Sequence, residues 1–559
     1  MTRIESSLPG LTGPERQYTG VATPLFFAFA AVAAFLLLAL SDGLTFFLDE
    51  WEVIQRPDWS LDSLLSPHNE HPYLGPVVVY RLLLEVFGLG STLPFQIVNV
   101  ALVVLVAWLV LVLVRRRLGA WAGLIAATLL LFMGAAWEDL LWPAGISFMG
   151  STAAGLGAFV LLDRERRPSD GAVCALLVLS LCFSTLGLVF TVGVAADVIL
   201  RDRARPLRER LARAWVPAVP VALYGIWFLA YGHEAEGNTS LDNLLGIPLY
   251  LWNAASAVFA SLLDLVEVDP ENGALNSAGW GKPILIAGLV GAAILISRSP
   301  RIASTMLWSL ATTAVVFWAS AGLNASAGRD PGASRYQLVG GALVLLIAAE
   351  LARGRRLPRP WLVVGGALAA LAVVSGIGQL RDGERFRRAQ SDLDRAQLSV
   401  LEIARDEVDP AFPMTEETID TPYLITVHPG EYLDAVDRWG SPVDPSADLI
   451  GASEQNRARA DFLLASILGV ELEPAPSSPG GGCRELSPNA VTELPPDGLT
   501  ISGEGAVEVR VRRFAATTFA TVGSTTEGSL LQIPPDESEV PWTVQVGGAP
   551  ARVCPGPAS

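Results

Sequence analysis

Charged side chains are scarce in this chain of 559 residues: Asp, Glu, Lys and Arg together make up 17% of it, whereas soluble domains average about 25%. Lysine is almost absent, since Lys282 is the only one beside 38 arginines, a bias that we attribute to genome composition. With only four cysteines, the chain can form two disulfide bonds at most. The low charge and the mean hydropathy of +0.43 exclude a soluble globular protein and predict a polytopic α-helical membrane protein.

Long apolar runs take the place of charge in this sequence. A membrane-spanning helix needs about 20 mostly apolar residues to cross about 30 Å of hydrocarbon. The run 171–200 lies between two arginine clusters, so we expect two short helices there that turn near residues 184–187. In total we predict about 11 spans, at residues 21–41, 94–114, 119–136, 145–162, 171–185, 186–200, 214–232, 283–297, 303–323, 336–352 and 361–378.

Five arginine clusters orient these spans, because cytoplasmic loops carry an excess of Arg and Lys. They lie at residues 115–117, 164–167, 201–210, 298–301 and 353–356. Placing all five inside puts the N-terminal segment, residues 1–20, in the cytoplasm and the C-terminal tail outside the plasma membrane. The first apolar run lacks a small-residue cleavage pattern, so we expect it to stay as an uncleaved anchor.

Two further apolar segments do not fit this order as full spans. Residues 72–87 carry Arg81 and Glu85 at helical spacing, which predicts an interfacial helix. Residues 247–265 could span, but counting them would place the arginines at 298–301 outside. We therefore expect a re-entrant or surface-lying helix at 247–265.

The C-terminal tail is acidic: residues 380–559 contain 29 Asp and Glu against 14 Arg, a net charge of −15. Nothing in it suggests nucleic-acid binding. Periodicity predicts a mostly helical extracytoplasmic domain at 380–473, with a strand at 423–427, and then a linker and a β-rich module at 474–559. Cys483 and Cys554 bracket that module and are expected to form a disulfide if it lies outside the cell. The membrane domain is then 21–379, with its first outer loop at 42–93.

Asp49 and Glu50 follow the first span, between two phenylalanines and Trp51. These aromatic side chains would hold the two carboxylates close to the membrane surface. A low dielectric constant there raises a carboxylate pKa toward the range of a general base. The alternative is an acidic pair that only ends the helix in the interfacial layer.

His68, Glu70 and His71 lie in the loop that follows and include two of the four histidines of the chain. With Asp49 and Glu50, the two histidines could hold a divalent cation such as Mg²⁺ or Mn²⁺, although their spacing differs from the i, i+4 pattern of helical zinc sites. A loop that contacts a phosphate or hydroxyl group is the second interpretation. The third is a polar loop that caps the next helix.

Two later segments place polar side chains at predicted outer ends of spans. Glu138 and Asp139 follow Trp137, and they either join a site or belong to an ordinary interfacial belt. Arg335 and Tyr336 open the tenth span. A guanidinium group at the head-group layer can bind a phosphate with two hydrogen bonds; the alternative is a side chain that only anchors the helix at the interface.

The order of these motifs resembles the GT-C fold glycosyltransferases, which transfer sugars from polyprenyl-phosphate carriers. The likeness covers about residues 20–380 and is strongest to uncharacterised actinobacterial membrane proteins of this superfamily. It rests on Asp49-Glu50 at the end of the first span, His68-Asn69-Glu70-His71 in the helical loop that follows, Tyr80-Arg81, the hairpin at 171–200, Arg335-Tyr336 at a late span and a soluble C-terminal domain.

The resemblance implies an inverting transfer to an acceptor of the cell envelope. A carboxylate takes the proton of the acceptor hydroxyl, whose oxygen attacks the anomeric carbon while the lipid phosphate leaves. On this chain it implies Asp49 as the base, Glu50 as its support or a metal ligand, and Arg335 as the group that stabilises the leaving phosphate. Many relatives have Asp-Asp or a single Asp here, which leaves open the identity of the base and the need for a divalent cation. Candidates for binding the polyprenyl-phosphate sugar and the glycan or glycolipid acceptor are His68, Glu70, His71, Glu138, Asp139, Arg335 and Tyr336.

Two other functions compete with the enzyme. A lipid or glycolipid transporter, or flippase, is expected to place ionisable residues near the middle of its spans. Asp197 is one of the few such residues here, and it lies near a predicted span end. A non-catalytic envelope scaffold would act through the acidic tail. The acids that gather at predicted outer ends favour the enzyme.

Overall fold

In the computed structural model, the described residues are 13–56, 58–163, 169–201, 206, 208, 211–232, 239–277, 279–326, 328–355, 357–415, 424–475 and 482–556. Parts of several predictions lie outside them: residues 1–12 of the N-terminal segment, 164–167, 202–205, 207, 209–210 and 356 of the arginine clusters, 423 of the predicted strand, 476–481 of the linker and 557–559 of the β-rich module.

The helices of the described ranges are α1 Gly13–Ser41, α2 Asp49–Ile54, α3 Leu61–Leu65, α4 Leu74–Phe87, α5 Leu93–Leu118, α6 Ala120–Leu131, α7 Trp137–Leu141, α8 Ile146–Leu162, α9 Asp170–Phe183, α10 Leu186–Leu200, α11 Trp215–Ala230, α12 Leu241–Leu262, α13 Gly281–Arg298, α14 Thr305–Leu323, α15 Gln337–Leu351, α16 Arg359–Ile403, α17 Pro429–Trp439, α18 Pro445–Gly451 and α19 Glu454–Ile467. The strands are β1 Val266–Val268, β2 Leu275–Ser277, β3 Leu472–Pro474, β4 Arg484–Leu486, β5 Val491–Glu493, β6 Leu499–Gly503, β7 Val507–Arg512, β8 Ala520–Thr525, β9 Ser529–Leu531, β10 Thr543–Gly548 and β11 Ala551–Pro555.

The chain divides into two compact units. The first comprises Met1–Asp42, Asp58–Leu82 and Leu93–Phe386, and the second comprises Gly43–Pro57, Leu83–Thr92 and Arg387–Ser559. This division differs from the predicted one, which assigned all of 42–93 to the membrane domain. Hydrogen bonds explain the difference: the Ser391 hydroxyl accepts from the Thr45 N–H, and the Gln55 amide donates to the Thr426 carbonyl oxygen, both within the second unit.

The first unit is a bundle of apolar helices. Within the described residues, eight helices are long and apolar enough to cross a membrane, or nine if Ala120–Leu131 and Gly134–Leu141, which meet at a 50° bend, form one span. The polytopic helical fold predicted from the sequence is therefore confirmed, whereas the count of 11 stays a prediction because three of the apolar helices, α9, α10 and α11, have fewer than 18 residues. The eight candidate spans are Gly20–Ser41, Leu93–Leu118, Pro143–Leu162, Leu241–Leu262, Gly281–Arg298, Thr305–Leu323, Ser334–Leu351 and Arg359–Ile403.

Helix α12 covers most of the segment 247–265, for which we predicted a re-entrant or surface-lying helix. It has 22 residues and is long and apolar enough to cross a membrane, so whether it lies on the surface or spans stays a prediction. Its start is fixed by Ser240, whose hydroxyl accepts a hydrogen bond from the Asn243 N–H. The helix packs against α13, α14 and α15. An additional span changes the parity of the passes, so the orientation of the two termini stays a prediction.

The hairpin of α9 and α10 agrees with the prediction of two short helices that turn near residues 184–187. Helix α9 ends at Phe183 and α10 begins at Leu186. The two helices approach closely at Gly187, where a Cβ atom would clash with the backbone nitrogen of Leu181. A hydrogen bond of 2.9 Å between the Ser151 and Ser180 hydroxyls joins α9 to α8.

Ion pairs accompany several of the charges that lie inside the bundle, where an unpaired charge is costly. Arg117 of α5 pairs with Asp163 at 2.8 Å and with the fully buried Glu350 of α15. Asp197 of α10 is fully buried and pairs with Arg201 of the next turn at 2.7 Å. Each of these pairs joins groups that are held in fixed positions, which favours a structural role for them.

The helical part of the second unit contains the end of α16 and helices α17 to α19. Helix α16 has 45 residues, about 67 Å at 1.5 Å per residue, so it is far longer than the predicted span 361–378. The predicted strand at 423–427 is wrong over its described part, because residues 424–427 form a turn closed by a hydrogen bond from the Val427 N–H to the Leu424 carbonyl oxygen. The β-propensity of these residues is overridden by that turn.

The predicted β-rich module is confirmed and consists of two antiparallel sheets. One has the strand order β5-β10-β7-β8 and the other β3-β9-β6-β11-β4. The alternation at Val507–Arg512 buries Val507, Val509 and Val511 on one face. A disulfide joins Cys483 to Cys554 of β11, 71 positions later.

Two carboxylates of α19 bind the segment between β7 and β8. Asp461 is buried and accepts hydrogen bonds from the N–H groups of Arg513, Phe514 and Ala515. Glu454, at the start of α19, accepts in the same way from the N–H groups of residues 516–518. These hydrogen bonds, the one from Ala516 foremost, hold the pKa of the Glu454 carboxyl well below its ordinary range.

Candidate functional site

A tight turn in the first unit presents the side chain of Glu70. Residues 68–71 form this turn because His68 and His71 exchange two backbone hydrogen bonds of 3.0 Å. Asn69 takes the left-handed conformation at its corner, with φ of 50°, which asparagine tolerates better than most residues. The turn therefore holds Glu70 and both histidines in defined directions.

The two histidine rings have different surroundings. His68 is buried, 2% exposed, and its ring packs on Tyr73 with the centroids 4.4 Å apart. The His71 Nδ1 atom lies 2.7 Å from the Thr185 hydroxyl at the turn between α9 and α10. We infer that His68 stabilises the loop, whereas His71 links it to the hairpin.

Glu70 forms an ion pair with Arg329, which is 259 positions away in the sequence. The Arg329 Nη1 atom donates to Glu70 Oε1 at 2.7 Å, and the Tyr250 hydroxyl of α12 donates to the Arg329 carbonyl oxygen at 3.1 Å. The second carboxylate oxygen, Glu70 Oε2, is buried and has no hydrogen-bond partner within the described ranges. The pair fixes the guanidinium and leaves its Nε and Nη2 atoms without a side-chain acceptor among the described residues.

A second ion pair lies at the start of α15. The Arg335 Nη2 and Nε atoms donate to Glu138 of α7 at 3.1 and 3.4 Å, and the Arg335 backbone N–H donates to the same carboxylate at 2.8 Å. Ser334 strengthens this junction, since its hydroxyl donates to the Ala135 carbonyl oxygen and accepts from the Glu138 N–H. The orientation of Arg335 is therefore set by both backbone and side chain.

Tyr336 brings the two ion pairs together. Its side chain is 7% exposed, and its ring meets Phe317 of α14 edge to face, with the centroids 6.0 Å apart. The Tyr336 hydroxyl interacts electrostatically with the charged side chains of both ion pairs. We call this set the arginine–glutamate cluster: Glu70, Arg329, Glu138 and Arg335.

Asp139 lies next to the cluster but is enclosed by protein. The residue is 2% exposed, and its Oδ2 atom has no hydrogen-bond partner within the described part of the chain. The Asn99 amide of α5 donates to its carbonyl oxygen at 2.9 Å and to that of Trp142 at 3.2 Å. The structure thus separates the roles of two adjacent acids, since Glu138 orients Arg335 whereas Asp139 is buried in the bundle.

Asp49 and Glu50 belong to the second unit, at the start of the short helix α2. Glu50 is 1% exposed and its Oε2 atom accepts a hydrogen bond of 3.0 Å from the Phe47 N–H. This bond supports the strained residue that precedes the helix, Leu48, whose φ is 45°. Asp49 is half-buried. Of the two carboxylates, that of Asp49 is therefore the more accessible.

The aromatic residues around Asp49 and Glu50 belong to the hydrophobic core of the second unit. Trp51 is fully buried, and its ring meets Phe46 and Tyr432 edge to face at 5.7 and 5.5 Å. The Arg387 guanidinium lies 3.9 Å from the centre of the Phe47 ring. The aromatic residues that the sequence analysis placed at the membrane surface therefore pack inside a folded unit.

No set of three or more His, Cys, Asp or Glu side chains converges as metal ligands within the described residues. The His68 ring packs on Tyr73 and His71 contacts Thr185, while the distance from His71 Nε2 to Glu70 Oε1 is 3.7 Å. The use of these side chains for Mg²⁺ or Mn²⁺ stays a prediction. We derive no step from a metal ion.

Sequence reasoning missed three contributors to this site. Arg329, Tyr250 and Thr185 complete the contacts of Glu70 and His71, yet none of them stands near residues 68–71 in the chain. Only the unusual position of Arg329, on a predicted outer loop where arginine is disfavoured, was a signal.

No protein-family model and no curated protein sequence matches this chain. Among solved structures, the chain is similar to ArnT from Cupriavidus metallidurans in the apo state, with 15% sequence identity and a TM-score of 0.45, over 70% of this chain and 82% of that chain. It is also similar to ArnT from the same organism bound to undecaprenyl phosphate, with 16% identity and a TM-score of 0.42, over 70% and 82% of the two chains.

Proposed function

We propose that this chain is an integral membrane glycosyltransferase that transfers a sugar from a polyprenyl-phosphate donor to a glycan or glycolipid acceptor of the cell envelope, on the outer side of the membrane. The arginine–glutamate cluster carries this proposal. It places two guanidinium groups at the ends of apolar helices, around a buried tyrosine. A lipid-linked phosphate presents its charge at such a level of the membrane.

Arg329 and Arg335 are suited to a leaving phosphate because their carboxylate partners orient them before the substrate binds. A guanidinium group has five N–H donors. Glu70 takes one hydrogen bond from Arg329, and within the described residues the other side-chain donors of Arg329 have no protein acceptor. A phosphate can therefore bind Arg329 without breaking its pair with Glu70. Preorganised positive charge of this kind stabilises the charge that develops as the phosphate leaves.

The same reaction needs a base for the acceptor hydroxyl, and we propose Asp49. The carboxylate takes the hydroxyl proton, the acceptor oxygen forms a bond to the anomeric carbon, and the bond from that carbon to the phosphate oxygen breaks with its electron pair. Attack from the face opposite the phosphate inverts the anomeric configuration. Glu50 is a positioning residue, because its carboxylate holds the backbone turn from which Asp49 projects.

A donor panel tests this proposal. Purified protein is incubated with polyprenyl-phosphate sugars and an envelope-lipid extract, with and without a chelator, and the released polyprenyl phosphate is measured. We expect one donor to turn over and Arg329→Lys to lower kcat at least tenfold, since lysine lacks the planar set of donors. Arg298→Lys, at a distant helix end, is the matched control. Absence of turnover together with equal donor binding by the wild type and Arg329→Lys contradicts the proposal and favours a flippase or scaffold.

A further inference from the structure

A cavity of about 260 Å³ lies in the first unit beside the start of α13. Its polar lining comes from three elements: Asn253 and Ser256 of α12, Ser277 of β2 and Lys282 of α13. No member of the arginine–glutamate cluster lines it. Pockets for small molecules begin at about 300 Å³, so this cavity suits one small polar group such as a lipid head group.

The lining of this cavity is complementary to an anion. Lys282 supplies a positive charge, and none of the described residues that line the cavity is acidic. Among the described residues, the Lys282 ammonium, the Asn253 amide and the Ser277 hydroxyl have neither a hydrogen bond nor an ion pair with the protein. Lys282 and Ser277 are exposed and Asn253 is half-buried, so a phosphate that enters the pocket can reach all three groups, which are of the types that donate to phosphate oxygens.

The backbone adds to the positive potential of the cavity. Gly279 and Gly281 both line the cavity; the backbone of Gly279 is exposed, whereas Gly281 is buried against the backbone of Ser256. Helix α13 begins at Gly281 without a side-chain cap, so its first N–H groups and the positive end of its dipole reinforce the charge of Lys282.

The surroundings of the cavity indicate that its anion belongs to a lipid. Helix α13 exposes Ile286, Leu289 and Val290, each at least half exposed, as a helix in contact with lipid does. Trp280 is 59% exposed at the start of the helix, and exposed tryptophan is typical of the level of the lipid head groups. The cavity therefore opens where head-group phosphates lie.

We propose that this cavity binds the phosphate of an anionic phospholipid, with Lys282 as its cation and Asn253 and Ser277 as its hydrogen-bond donors. The site is separate from the arginine–glutamate cluster and does not depend on the proposed glycosyl transfer. Free inorganic phosphate shares the chemistry of the head group, so the experiment compares the two.

The single lysine makes this site directly observable. Reductive methylation with ¹³C-formaldehyde labels Lys282 and the N-terminal amine and leaves the positive charge in place. The labelled protein, in neutral detergent micelles, is titrated with phosphatidylglycerol in one arm and with sodium phosphate in the other. Lys282→Gln identifies the resonance, and the N-terminal amine is the internal reference.

We expect the Lys282 resonance to shift saturably with phosphatidylglycerol, at a lower concentration than with inorganic phosphate. Asn253→Ala and Ser277→Ala should each weaken this response about tenfold, whereas Arg298→Gln at the far end of α13 should not change it. Thermal unfolding of each variant checks that it is folded. Any of three results overturns the proposal: no saturable shift with the lipid, an equal response in Asn253→Ala and Ser277→Ala, or saturation by inorganic phosphate alone.

Discussion

Glu138 accepts three hydrogen bonds from Arg335, one from the backbone N–H at 2.8 Å and two from the guanidinium at 3.1 and 3.4 Å. The two residues are 197 positions apart, on α7 and in the turn before α15. This pair joins two helix ends and places the positive charge of Arg335 where it interacts with Tyr336. The geometry implies that the role of Glu138 is to position the Arg335 guanidinium.

The first prediction follows from that relationship. Arg335→Lys should lower the rate of glycosyl transfer about a hundredfold, the loss expected when a donor to developing negative charge is removed. Glu138→Gln should lower it about tenfold, because a charge-assisted hydrogen bond contributes about 1.5 kcal/mol. If Glu138 only positions Arg335, the double variant is no slower than Arg335→Lys alone. Additive losses in kcat would show that Glu138 contacts the substrate itself.

The second prediction separates Glu50 from Asp49. Glu50→Ala leaves the buried Phe47 N–H without its acceptor, which costs about 1–3 kcal/mol. We expect a lower midpoint of unfolding for this variant in a denaturant titration, and an unchanged midpoint for Asp49→Asn. A Glu50→Ala protein with wild-type stability and no transferase activity would instead identify Glu50 as the base.

The third prediction concerns pH and the second unit. Hydrogen bonds from residues 516–518 hold the pKa of Glu454 below the unfolded value of about 4.3. Because the folded pKa is the lower one, the stabilisation is present above about pH 4.3 and is lost as the pH falls below it. The wild type should unfold at a higher temperature than Glu454→Gln at pH 7, and the difference should shrink by pH 3. The exposed Glu527→Gln is the control, and a difference that does not depend on pH would refute the prediction.

The fourth prediction concerns the disulfide of the β-rich module. Cys483 and Cys554 close a loop with a sequence separation of 71, and a cross-link of that size stabilises a domain by about 2–4 kcal/mol. The double variant Cys483→Ser/Cys554→Ser should therefore unfold at lower denaturant concentration than the wild type under oxidising conditions. Under reducing conditions the two proteins should unfold together. Cys174→Ser, in α9, is the control for an unpaired cysteine.

Local patterns were enough to predict the elements whose periodicity is independent of distant partners. The helical hairpin at 171–200 followed from its length, and strands β7 and β10 followed from their alternation. The turn at residues 424–427 could not be predicted in this way, because it depends on a backbone hydrogen bond that competes with β-propensity. The existence of helix α12 followed from its apolar length, whereas its place across or along the membrane depends on the topology of the whole bundle.

The candidate site was only partly predictable for a related reason. Residue types were enough to select Glu70, Glu138 and Arg335 as candidates. The Glu70–Arg329 pair joins residues 259 positions apart, and no local sequence pattern indicates it. The burial of Glu50 depends on packing within the second unit. Sequence alone could therefore name both carboxylates at 49–50 but could not decide which of them is held by the backbone.

The most direct test of the account is the turnover of polyprenyl-phosphate sugars by wild type and Asp49→Asn, with Glu52→Gln on the same helix as the matched control. Folding of all three proteins is checked by thermal unfolding. We predict that Asp49→Asn abolishes release of polyprenyl phosphate, while it still binds the donor and unfolds at the wild-type temperature, and that Glu52→Gln retains activity. Turnover by Asp49→Asn at the wild-type rate would contradict the assignment of Asp49 as the base, and with it the central claim.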